Sequence, residues 1–68
     1  MDRLIRSLGW QLGKKLPQGP LWSEEPHQED LGRLRDLLGR EPTLDEAETF
    51  SWEFRLSRRR QQATAYRG

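Results

Sequence analysis

Between Leu38 and Gln62 the chain reads LGREPTLDEAETFSWEFRLSRRRQQ, and this stretch limits the fold more than any other. Pro42 disfavours a helical conformation in the residue before it, so it marks a boundary between two helical segments. Thr43 is placed to cap a helix, and Glu46, three residues on, to reach back and complete a capping box. From there the helical period gathers Leu44, Ala47, Phe50, Ser51 and Phe54 on one side and Trp52, Leu56 and Ala63 on another. Asp45, Glu46 and Glu48 near the start, and Arg58, Arg59 and Arg60 near the end, suit the two poles of the helix dipole. A long helix over 43–63 is therefore expected, and it has two apolar faces. A small three-helix domain buries one broad face of each member, which leaves the second face in need of a partner.

Upstream, MDRLIRSLGWQLGKKL projects Met1, Leu4, Ile5, Leu8, Leu12 and Leu16 onto one arc of about 120°, which predicts an amphipathic helix over about 2–16. Trp10 falls on the other side, among Arg3, Arg6 and Lys14. Gly9 and Gly13 each cost about 1 kcal/mol relative to alanine, so this helix requires tertiary contacts to persist. Pro17, Gly19, Pro20 and Pro26 then punctuate a loop over 17–27. Its Leu21 and Trp22 either fold back as a lid on the core or stand out as an anchor for a partner. A second helix is expected over 28–39, with Leu31, Leu34, Leu37 and Leu38 on its buried face, Glu29 and Asp30 at its positive end and Gly39 as its stop. Residues 64–68 carry no signal for order and are expected as a tail.

This pattern reads as a single all-α domain of three helices with a long C-terminal member. Its 68 residues are 32% apolar and 34% charged, so the core is marginal for its length. Ordering the chain costs about 1–2 kcal/mol per residue, and the apolar area can barely offset that. Completion by a partner or by self-association, or else partial disorder, is expected for that reason.

Several chemistries lack their residues. The chain has no cysteine, and His27 is its one histidine, which removes disulfides, thiolate metal sites and a conventional zinc cluster. His27 lies among Glu24, Glu25, Glu29 and Asp30, but without diagnostic ligand spacing, so neither a metal nor a cofactor is expected. No glycine-rich phosphate loop and no carboxylate pair in a recognisable pocket is present, and no catalytic residue is assigned. No apolar run approaches the roughly 18 residues of a membrane span, and the start lacks the apolar stretch of a secretory signal. A soluble, cytoplasmic protein is the expectation.

The net charge of +1 conceals a segregated pattern. Residues 1–22 sum to +3, residues 23–48 to −6 and residues 49–68 to +4. Either the acidic middle folds between the basic ends and neutralises them, or the two kinds of surface meet different partners.

The piece LGREPTLDE resembles a helix opening in two unrelated families. Primary bacterial sigma factors carry a similar leucine-glycine-arginine-glutamate-proline-threonine opening after their promoter-melting region. Formylglycinamidine ribonucleotide synthetases carry it too, followed by a phenylalanine placed as Phe50 is here and an aromatic near Phe54. A shared capping signature accounts for most of both resemblances. The synthetase helix leads into a serine-glutamate-histidine-cysteine motif, where this chain has Arg55, Leu56, Ser57 and Arg58, so no activity is implied. The sigma-factor opening leads through a glycine turn into a second short helix, whereas this chain runs on through WEFRLSRRRQQ. Neither resemblance assigns a function.

The candidate site is the second face of the third helix. Trp52 and Leu56, bordered by Arg55, Arg58, Arg59 and Arg60, combine the residue types enriched at interface hot spots. Trp10 and Trp22 are secondary candidates. The expected function is that of a small non-enzymatic regulatory, adaptor or inhibitor protein that binds a larger protein. The alternative is a nucleic-acid-binding accessory protein using the arginine run, although adjacent arginines spread around a helix and form no single groove-reading face. The basic first helix suits an anionic membrane surface, but its apolar arc is also what the core requires, so a membrane partner is not expected.

Overall fold

The computed structural model describes residues 2–14 and 23–67, with side chains up to residue 63. It contains three helices, α1 (Asp2–Gly13), α2 (Gln28–Leu38) and α3 (Leu44–Arg67), and no strand among the described residues. The all-α architecture with a long C-terminal helix is as the sequence predicts.

Local chemistry sets the ends of α2 and α3. The Thr43 N–H donates to Glu46 Oε1 at 2.8 Å and the Glu46 N–H donates to Thr43 Oγ1 at 3.2 Å, which is the full capping box. Arg40 holds the same carboxylate with two bonds of 2.8 Å. Its hydrogen bonds, with the Thr43 N–H beside them, depress the Glu46 carboxyl to about 2. At the start of α2 the Asp30 carboxylate accepts the His27 N–H at 3.0 Å. At its end Gly39 takes the left-handed conformation, with φ 71°, and its N–H donates to the Arg35 carbonyl oxygen at 2.8 Å. Glycine adopts that conformation without the penalty a Cβ would bring.

The principal pairing is α1 on α3, and glycine makes it close. A Cβ built on Gly9 would lie 2.7 Å from the Phe50 carbonyl oxygen. One built on Gly13 would lie 2.6 Å from the Phe54 carbonyl oxygen and 2.8 Å from Ser57 Cβ. The two approaches advance together along both chains, so α1 and α3 run parallel with backbone against backbone. Small residues four apart permit that approach. The sequence registers these glycines as a cost to α1, whereas the tertiary structure uses them as its contact surface.

A parallel pair requires a return segment, and α2 provides it. Ile5, Leu34 and Phe50, one from each helix, form the buried cluster, with Leu8, Leu12, Leu31 and Leu38 packed around it. Phe54 is also fully buried, and its ring centroid lies 6.3 Å from that of Phe50. Burial of each such side chain contributes about 1.5–3 kcal/mol.

Three expectations are corrected. Helix α1 ends at Gly13, where the Lys14 N–H turns to the Gln11 carbonyl oxygen, and residues 15 and 16 of the expected helix lie outside the described residues. Helix α3 continues to Arg67 rather than stopping at 63 before a tail, since no proline or glycine intervenes to break it. Leu4, Leu37 and Leu44, expected on buried faces, are exposed. Their helical angles are suitable, but each lies where no neighbouring helix covers it. Met1, Leu16, Leu21 and Trp22 lie outside the described residues, as does most of the 17–27 loop.

Candidate functional site

The inward side of α3 is defined by Phe50, Phe54, Ser57 and Arg58, all buried. At 100° per residue, the opposite side carries Glu48, Trp52, Leu56 and Arg59 in one stripe with spacings of four, four and three. Trp52 is 56% exposed and Leu56 37%. Trp52 stands as a ridge between two open clefts. One, of about 410 Å³, is lined by Glu25, Ala47, Glu48, Ser51 and Arg55 together with Trp52. The other, of about 380 Å³, is lined by Arg6, Glu48, Thr49 and Glu53 on the far side of the same indole.

The arginines do not act as one run. Arg55 pairs with Glu25 at 2.7 Å, and Arg59 approaches Glu24 at 3.5 Å. Arg58 turns inward and is 4% exposed, with its guanidinium 4.6 Å from the centre of the Phe54 ring. Burial lowers its pKa, and the negative charge of Asp30, buried at the start of α2, opposes that shift. Among the side chains expected at the partner-binding face, Arg58 is therefore interior. Arg59 and Arg60 are exposed, and Arg55 is half-buried beside Glu25.

The acidic segment does neutralise part of the basic end, the first of the two arrangements that the charge pattern allows. Glu24 and Glu25 meet Arg59 and Arg55, whereas Arg35 with Glu41 and Arg40 with Glu46 pair inside the acidic segment itself. These pairs are largely solvent-exposed, where water screens the attraction, so they bias the surface more than they hold the fold.

Trp10 is half-buried, and its carbonyl oxygen accepts the Ser57 hydroxyl at 2.7 Å. Trp22 lies outside the described residues. Sequence reasoning missed Glu48 as a member of the outward stripe, although its spacing of four from Trp52 was there to read. It also missed the role of Gly9 and Gly13, for which the four-residue interval was the signal. Among the described residues no three histidine, aspartate or glutamate side chains converge as a metal site, and no helix is long and apolar enough to cross a membrane. Comparison with family models, with curated proteins and with solved structures finds no match to this chain.

Proposed function

We propose that this chain is a small non-enzymatic regulatory or adaptor protein that docks on a larger protein through the outward face of α3. The observation that carries the reading is the exposure of Trp52 beside Leu56, on the side of α3 directed away from Phe50 and Phe54. An exposed indole next to a leucine is costly to leave in water, and tryptophan anchors are prominent among interface hot spots. The clefts on either side of Trp52 give a partner's side chains places to enter, with Arg55 and Glu25 at one and Arg6 and Glu53 at the other.

Protein is favoured over nucleic acid because the arginine run is divided. Arg58 is interior, and Arg55 and Arg59 already face carboxylates. A phosphate backbone would meet no continuous basic strip on this face, and each contact with Arg55 or Arg59 would first displace a glutamate.

The test is affinity capture from the source cell with the wild-type chain and with Trp52→Ala/Leu56→Ala, identifying both protein and nucleic acid. A defined protein retained by the wild type and lost by the variant, at unchanged helicity, supports the reading. Retention of nucleic acid alone, or of the same protein by both forms, sinks it.

A further inference from the structure

The order of charges along the outward stripe of α3 suits the helix dipole, and it also makes the stripe complementary to itself. Glu48, Trp52, Leu56 and Arg59 succeed one another along it, so a negative end and a positive end flank an apolar middle. Glu48 and Arg59 are eleven residues apart, three helical turns, and lie almost on one line. The midpoint of the stripe falls between Trp52 and Leu56. A two-fold axis through that midpoint sets Trp52 of one copy against Leu56 of the other, and brings Glu48 of each copy to Arg59 of its mate. A parallel arrangement would instead place Glu48 beside Glu48 and Arg59 beside Arg59. The stripe is self-complementary in one direction only.

We propose that the outward face of α3 binds a second copy of this chain in antiparallel fashion, and that this dimer shields the docking face until a target displaces it. The inference rests on the docking reading and adds its regulation. Closed two-fold pairing is the commonest form of self-association, and it requires this kind of surface, complementary to itself after a half-turn. Helix α3 has 24 residues and so a length of about 36 Å, close to the 39 Å long axis of the molecule, and the register that sets Glu48 against Arg59 overlaps residues 44–63 of the two copies. Pairing with Glu48 of the mate exchanges one carboxylate for another at Arg59, whose contact with Glu24 is long, at 3.5 Å, and whose side chain is 62% exposed. The same pairing covers Trp52 and Leu56, two of the large apolar side chains that the domain's own helices leave exposed.

Sedimentation equilibrium of the purified chain over a wide concentration range tests this. The expected mass rises from the 8.1 kDa of a single chain to twice that value with concentration. Trp52→Ala weakens the dimer by about a hundredfold. Glu48→Arg and Arg59→Glu, each made alone, weaken it by about tenfold, since either sets like charges together at both symmetric ends. The double variant Glu48→Arg/Arg59→Glu restores affinity to within a few-fold of wild type, because the exchanged charges pair again. Circular dichroism on each variant separates loss of pairing from loss of fold. A single-chain mass at every concentration, a dimer indifferent to Trp52→Ala, or a double variant no better than the singles each overturns the proposal. The docking reading is judged separately: a single-chain protein that still captures its target through Trp52 keeps the docking face and removes its regulation.

Discussion

The Ser57 hydroxyl donates to the Trp10 carbonyl oxygen at 2.7 Å, joining α3 to the last turn of α1 across 47 residues of sequence. The carbonyls of a helix's last turn have no helical donor of their own, and the Lys14 N–H is engaged with Gln11 at 3.3 Å. Ser57 therefore caps α1 from another helix. It can do so only because Gly13 brings the two backbones together beside it.

That closeness predicts opposite outcomes for the same substitution at different glycines. Gly13→Ala and Gly9→Ala should each destabilise the fold by about 1–3 kcal/mol, because the new methyl meets backbone oxygen at 2.6 or 2.7 Å and the gain in helix propensity is smaller. Gly32→Ala meets nothing within 4 Å and should stabilise α2 by about 0.5–1 kcal/mol. Urea midpoints followed by circular dichroism check all three. A stabilised Gly13→Ala would contradict the close packing.

The capping box should make α3 sensitive to acid. Thr43→Ala should cost about 1 kcal/mol near neutral pH. The Glu46 carboxyl is depressed from the usual 4.5 to about 2 in the folded protein, so its contribution is complete above 4.5 and is lost as pH falls through that window towards 2. Glu46→Gln should remove that part of the acid dependence. Thermal melts of wild type and variant at a series of acidic pH values check it, and parallel pH curves would count against the cap.

Arg58 should behave as a core residue despite its charge. Arg58→Ala removes the stem packed in the interior and the guanidinium over Phe54, and should destabilise by about 1–3 kcal/mol. Arg33→Ala, on the exposed side of α2, should stay within about 0.5 kcal/mol of wild type. Equal melting temperatures for the two variants would place Arg58 outside the core.

Binding of the target should depend only moderately on salt. With Trp52 and Leu56 as anchor and the arginines in a steering role, the slope of log affinity against log salt should be about −1. Four or five arginines neutralising phosphates would give about −4. One titration series in increasing salt separates the two, and the steep slope would return the nucleic-acid alternative to first place.

Helix ends that rest on local chemistry are legible in the sequence. Thr43 with Glu46 and the glycine at 39 act over a few residues, and the structure uses both as the sequence implies. The period of 3.6 likewise placed Phe50 and Phe54 on one side of α3 and Trp52 and Leu56 on another, and burial respects that division. Periodicity states which residues share a face, but not which face a neighbour covers or how near it comes. That Gly9 and Gly13 are where α1 meets α3, that Arg58 lies inside while Arg59 lies outside, and that Leu4 and Leu44 remain in water follows from how the helices pack. Those outcomes depend on distances between helices far apart in sequence. Adjacent arginines on α3 are alike in composition and propensity, and the 100° between their directions, set against the position of α2, gives one a place over Phe54 and the other a place in solvent.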